Sequence, residues 1–81
     1  MKLYYTERFQ ENLESAPAKV QRAFAKQIRL LVENLRHPSL RAKKYDESQN
    51  IWQARGNKDW RFYFTIQGDT YVLRNIIAHP K

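Results

Sequence analysis

The sequence predicts an α+β domain, a small antiparallel sheet of four to five strands with two N-terminal helices packed on one face. Three observations predict it. Trp60, Phe62, Phe64 and Ile66 alternate with Arg61, Tyr63 and Thr65, the period of a strand with one buried and one open face. Val20, Phe24, Ile28, Leu31 and Leu35 recur at helical spacing and form one apolar stripe. Finally, the helical patterns precede a run of strand patterns instead of alternating with them, which argues against a parallel α/β sheet.

Residues 2–5 read as a short strand. Thr6 is placed to cap a first helix, whose Phe9 and Leu13 share a face. Ser15-Ala16-Pro17 ends that helix, and Pro17 suits the first turn of a second, running to about Arg36. Pro38 stops it. Lys19, Arg22, Lys26, Arg29 and Arg36 make a basic stripe, interrupted by Glu33, roughly 170° from the apolar one. Leu40 to Tyr45 is a weak strand, and residues 46–50 are a polar loop. Strands follow at 51–55, 60–67 and 70–78, separated by the turn residues 56–59 and by Gly68-Asp69, a two-residue hairpin turn.

Registers then place the polar residues. A Gly68-Asp69 turn pairs Gln67 with Thr70 and, continued without interruption, residues 65/72, 63/74 and 61/76. Tyr71, Leu73 and Ile77 would join the core, with Asn75 as the misfit, and Arg74 would stand beside Tyr63 on the open face. In the preceding hairpin, a register with Arg55 opposite Arg61 and Gln53 opposite Tyr63 buries no arginine and sends Trp52 and Ala54 inward. The expected open face therefore carries Arg55, Arg61, Arg74, Gln53 and Tyr63. Three arginines gathered there repel one another unless an anion sits among them.

Eighty-one residues make one domain, residues 1–81, with room for a modest core and an open groove. The net charge of +7 points to a polyanionic partner, and it is spread over both halves of the chain. The absence of cysteine excludes disulfides and thiolate metal sites and fits a reducing cytoplasm. The stretch Met1–Tyr5 is too short for a secretion signal, and no apolar run approaches the ~20 residues of a membrane span. His37, at a helix exit, reads as a cap or a solvated side chain. His79, after the last strand, is the titratable group best placed for proton transfer near neutral pH. There is no phosphate-binding glycine loop, no His/Asp metal cluster and no Ser-His-Asp order. RNA cleavage needs none of these, because RNA carries its own nucleophile, the 2′-hydroxyl. The protein supplies orientation, proton transfer and charge stabilisation.

The order and spacing of Asn34-Leu35-Arg36-His37-Pro38, Lys43-Lys44-Tyr45, Ile51–Arg55, Trp60–Phe64, Gly68-Asp69-Thr70 and the His79 terminus resemble the RelE/ParE superfamily of type II toxin–antitoxin toxins. The resemblance spans essentially the whole chain. It implies a RelE-like microbial ribonuclease architecture and a cytoplasmic, metal-independent mRNA endoribonuclease that acts on the ribosome and inhibits translation. It implies no cofactor. The implied partners are a cognate antitoxin and ribosome-bound mRNA, with operator DNA engaged only through the antitoxin. It matches Arg61 to the strand arginine at the scissile phosphate, Arg55 and Lys43 or Lys44 to basic strand positions, and His79 to the terminal histidine of some members, leaving proton transfer to His79 or Tyr63. The expected catalytic residues are therefore Arg61, Arg55 and His79, and the expected substrate contacts are Lys43 and Lys44 together with Gln53, Tyr63 and Arg74 from the open-face registers. Two departures stand out: the sequence ends at Lys81 where many RelE-like toxins carry a tyrosine, and Gln53 replaces a basic residue of some members. ParE-like members share the fold and poison DNA gyrase without cutting RNA. An inactive module that only binds RNA or antitoxin is the third alternative.

Overall fold

The computed structural model describes residues 1–79. In chain order the elements are β1 (Lys2–Tyr5), α1 (Glu7–Ser15), α2 (Ala18–Glu33), a 3-10 turn (Pro38–Leu40), β2 (Lys43–Asp46), β3 (Ile51–Arg55), β4 (Trp60–Gln67) and β5 (Thr70–Ala78). The sheet order is β1-β5-β4-β3-β2. From β2 to β5 it is antiparallel, as expected, but β1 pairs in parallel with β5. The alternation of apolar residues places a strand's faces and says nothing of its direction, so the parallel edge was not visible in the pattern.

One face of the sheet is covered. Phe9 of α1 and Val20, Phe24, Ile28 and Leu31 of α2 pack on Ala54, Phe62, Phe64, Tyr71, Leu73 and Ile76. The rings interlock at angles: Phe24 meets Phe62 edge-on at 5.2 Å, and Phe64 meets Tyr71 edge-on at 5.5 Å. Phe62 and Phe64 are wholly buried, each worth about 1.5–3 kcal/mol of transfer free energy. Leu35 and Trp52 pack at the margin of this core.

Helix boundaries follow local hydrogen bonding. Thr6 caps α1, its Oγ1 accepting from the Phe9 N–H at 3.2 Å. Pro17 precedes α2 as an extended cap, so the helix begins at Ala18. It ends at Glu33, three residues earlier than expected. Asn34 is extended, and its Oδ1 accepts from the Arg36 N–H at 3.0 Å, a side-chain turn that replaces the next helical bonds. Of the two roles expected for His37 the structure shows the cap, at the start of the next turn and not at the end of α2: its Nδ1 accepts from the Ser39 N–H at 3.2 Å and opens the 3-10 turn. That turn takes Leu40 out of the expected strand and buries it completely. Arg41 follows with φ 47°, and β2 begins only at Lys43.

The two hairpins differ. Between β3 and β4 the expected register holds, with Arg55 opposite Arg61 and Gln53 opposite Tyr63. Between β4 and β5 it holds from Gln67/Thr70 to Phe64/Leu73 and then slips, so that Tyr63 opposes Asn75 and Arg61 opposes Ile77. Arg74 is the extra residue of a β-bulge. The expected pairs 63/74 and 61/76 are therefore incorrect. Ile76, not Ile77, enters the core, and Asn75 is no misfit because it lies on the open face. The cause is the β1–α1 junction docked against the bulge. The Leu73 carbonyl accepts from the Thr6 N–H at 3.1 Å and from the Thr6 hydroxyl at 2.8 Å, and the Arg74 carbonyl takes a longer contact from that hydroxyl at 3.4 Å.

Candidate nucleic-acid interface

Strand alternation puts Lys43, Gln53, Arg55, Arg61, Tyr63, Thr65, Asn75 and Ile77 on the face the helices leave open. Two centres form there, one at each end of Tyr63.

The first is built on Arg61. Its Nη1 donates to the carbonyls of Asn57 at 2.9 Å and Trp60 at 3.0 Å, with a longer contact to Lys58 at 3.4 Å. The turn can offer these oxygens because the Asn57 side chain folds back, its Oδ1 accepting from the N–H groups of Asp59 (2.8 Å) and Trp60 (2.9 Å). Nη2 and Nε of Arg61 have no acceptor among the described residues, so one edge of a fixed guanidinium remains for a ligand. Arg55, directly opposite, sends Nε to the same Asn57 carbonyl at 3.4 Å. Its own carbonyl is held at 2.8 Å by the buried Gln27 amide, which also donates to Ser39 O at 3.0 Å. Helix α2 thereby fixes the backbone beneath the arginine pair.

His79 extends the ladder, its N–H donating to Asp59 O at 2.7 Å. It is two residues beyond Ile77, the partner of Arg61, and so a diagonal neighbour of Arg61 at about 7–8 Å. Gln53 lies under Tyr63 and is mostly buried. The two expected lysines separate. Lys43 opposes Gln53 on the open face, whereas Lys44 faces the other way, with Nζ 5.4 Å from the Trp52 ring and 3.7 Å from Glu47.

The second centre is a cavity of about 660 Å³ on the other side of Tyr63. Tyr45, Tyr63 and Ile77 give it apolar walls, and Arg8, Arg74, Asn75 and Thr65 give it polar ones. Tyr45 stands edge-on to Tyr63 at 5.0 Å. Burial pushes the Tyr63 phenol above its ordinary value, and Tyr45 adds to the rise against the opposing pull of Arg61. Tyr63 is therefore a neutral phenol at pH 7, a hydrogen-bond donor. Among the described residues, the ion pairs Lys2–Asp69 and Lys44–Glu47 lie elsewhere, and no acid bridges Arg8, Arg55, Arg61 or Arg74. No group of three or more His, Cys, Asp or Glu gathers as a metal site among them, and no described helix is long and apolar enough to cross a membrane.

Of the sequence-derived residues, Arg55, Arg61, Gln53, Tyr63 and Lys43 come together, with His79 at their edge and Arg74 in the cavity. Sequence reasoning placed Thr65 on the open face without giving it a role, and missed Tyr45, Asn75, Ile77 and Arg8. Tyr45 was within reach, two residues from Lys43 on one strand. Arg8 and Asn75 were not, since they arrive through the bulge and the helix docked on it.

This arrangement of two helices on a five-stranded mixed sheet has close structural counterparts. A YoeB/ParE toxin from Agrobacterium tumefaciens superposes with a TM-score of 0.82 at 16% identity, over 99% of this chain and 100% of that one. The fold is that of the RelE-like toxins. RelE from the archaeal RelE–RelB complex of Pyrococcus horikoshii OT3 gives 0.79 at 14% identity over 99% and 96% of the two chains. The E. coli DinJ–YafQ complex gives 0.80 at 14% identity over 96% and 92%. No family model and no curated protein matches the sequence. The RelE-like fold is thus recognised through structure, at identities where sequence similarity has faded.

Proposed function

We propose that this protein is the toxin of a type II toxin–antitoxin system in the RelE/ParE superfamily, and that it cleaves mRNA on the ribosome in the cytoplasm. One observation carries the reading: the cross-strand pair Arg55–Arg61 on an open face, with Arg61 braced by turn carbonyls and one donor edge without an acceptor among the described residues. A guanidinium held in this way is preorganised for an oxyanion and spends no reorganisation when charge develops on phosphorus.

In the proposed reaction the 2′-oxygen attacks the adjacent phosphorus and loses its proton. The bond from phosphorus to the 5′-oxygen breaks, and that oxygen gains a proton. The products are a 2′,3′-cyclic phosphate and a 5′-hydroxyl, with no cofactor consumed. Arg61 and Arg55 take the charge of the phosphorane. His79 is the proton-transfer group, since an imidazole has one ring nitrogen to donate a proton and one to accept it. Tyr63, kept neutral, donates a hydrogen bond and does not act as a base. Lys43 and Gln53 line the approach. The charge of +7 suits a ribosomal target. The antitoxin-bound relatives support a cognate antitoxin, with any operator contact made through it.

Primer extension on cellular mRNA after induction tests the reading. Cuts inside translated frames that vanish in Arg61→Ala support it. Intact mRNA alongside trapped gyrase–DNA cleavage complexes would replace it with the ParE-like activity, and a harmless protein would replace it with an inert binding module.

A further inference from the structure

The cavity at the second centre is not used by the proposed reaction, yet it is built. The bulge puts two consecutive residues, Arg74 and Asn75, where an unbroken ladder would show one to the open face. Arg74 is oriented by its Nε–H bond to Thr65 Oγ1 at 3.3 Å, which leaves both Nη groups without an acceptor among the described residues. Asn75 is oriented too. Its Oδ1 accepts from Asn12 Nδ2 and from the Ile76 N–H at 2.9 Å, so the amide has a fixed sense and its own NH₂ remains a donor at the cavity wall. Opposite stand Tyr45, 62% exposed, and Ile77, 40% exposed, an unusual amount of ring and aliphatic surface beside the two arginines Arg8 and Arg74. No Asp or Glu lines the cavity. Tyr63, its near wall, is only one pleat along β4 from Arg61, about 6.8 Å.

We infer that this cavity is a nucleobase subsite: it receives one unstacked base of single-stranded RNA, adjoining the phosphate held at Arg61. Tyr45 and Ile77 provide the stacking surface, Asn75 Nδ2 donates to an acceptor on the base edge, and Arg74 and Arg8 hold flanking phosphates. An acidic peptide would satisfy the arginines but would leave the tyrosine face and the oriented amide without a use. The inference rests on the RNA reading of the neighbouring site and goes beyond it by giving the substrate a second point of attachment, one that selects for bases.

The test uses binding without cleavage, so that it stands apart from the nuclease assay. The probe is a 2′-O-methyl tetranucleotide with 2-aminopurine at one position, titrated against the full chain. Stacking should quench the fluorophore. Tyr45→Phe should keep the quench, and Tyr45→Leu, at an exposed position that leaves folding intact, should lose it and weaken binding at least about fivefold. The double variant Arg8→Gln/Arg74→Gln should lower the salt slope by about 1.4, two phosphates' worth for a single strand. Equal affinity for an abasic tetranucleotide, an unchanged quench in Tyr45→Leu, or displacement of the probe by polyglutamate through the same residues would each overturn the subsite. Loss of the nuclease reading alone would show as intact mRNA in cells with this quench still present.

Discussion

The two arginines that flank Tyr63 are held in different ways. Arg61 is pinned by backbone: up to three carbonyls of one turn converge on a single nitrogen, and that turn is itself closed by the Asn57 side chain. Arg74 is steered by one hydroxyl, from a strand position that exists only because the ladder slips. The first arrangement resists displacement and suits a group that must meet a transition state. The second can shift by rotating one side chain and suits a ligand of variable shape. Rigidity at one end and adaptability at the other lets a single face fix a phosphate while tolerating different neighbours.

Substitutions at four positions separate the two ends. The largest effect is expected at Arg61. Arg61→Ala should reduce single-turnover cleavage of ribosome-bound mRNA by about 10²–10³, the usual loss for one charge-stabilising donor. Arg61→Lys should recover little, because an ammonium lacks the planar fork that reaches the turn carbonyls and a phosphate together. Next is Gln27→Ala. It removes the buried amide that donates to the part-buried carbonyls of Arg55 and Ser39 and should cost about 1–3 kcal/mol in urea unfolding. Its effect on activity should exceed its effect on binding in the Tyr45 cavity. Thr6→Ala removes the α1 cap and the hydroxyl bonded to Leu73 O, and should cost about 1 kcal/mol. It should loosen the Arg74 end and leave the Arg61 end in place, with Thr6→Ser restoring both.

The smallest effect on stability belongs to Tyr63→Phe, and it appears only at alkaline pH. The Tyr63 phenol is raised by burial, so the folded protein keeps this proton at a pH where the unfolded chain has released it. The associated stability is present below the ordinary tyrosine value of about 10 and is lost as pH rises through the higher folded value. Tyr5 and Tyr71 are raised by burial in the same way. Thermal melts from neutral to strongly alkaline pH should therefore decline for the wild type and decline less for Tyr63→Phe, with no difference near pH 7.

Much of this was legible in the sequence, and the failures have local causes. The alternation from Trp60 to Ile66 gave the open face and the place of Arg61 on it, because period two leaves a strand no choice of face. The Arg55–Arg61 pairing followed from the cost of burying an arginine. The end of α2 was missed because Asn34 competes for backbone hydrogen bonds, which no hydrophobic pattern records. The bulge at Arg74 had one trace in the sequence, the polar Asn75 falling on what should have been the core side. Its cause is Thr6, 68 positions away from Arg74, beyond the reach of any local reading. The cavity depends on that contact and so became visible only in three dimensions.

The parallel pairing of β1 with β5 also sets an order of events in time. Among the described residues β1 pairs with β5 alone, the strand most distant from it along the sequence, and the Thr6 contacts that shape the bulge close across the same span. Local structure such as α2 and the β3–β4 hairpin can form early, but closing so long a loop precedes any gain from its contacts, which makes this step slow and late. While the chain is still emerging, β5 is missing, and with it Arg74, Asn75, Ile77 and His79. The open face thus completes itself only once β5 is in place, and without that strand neither centre is whole.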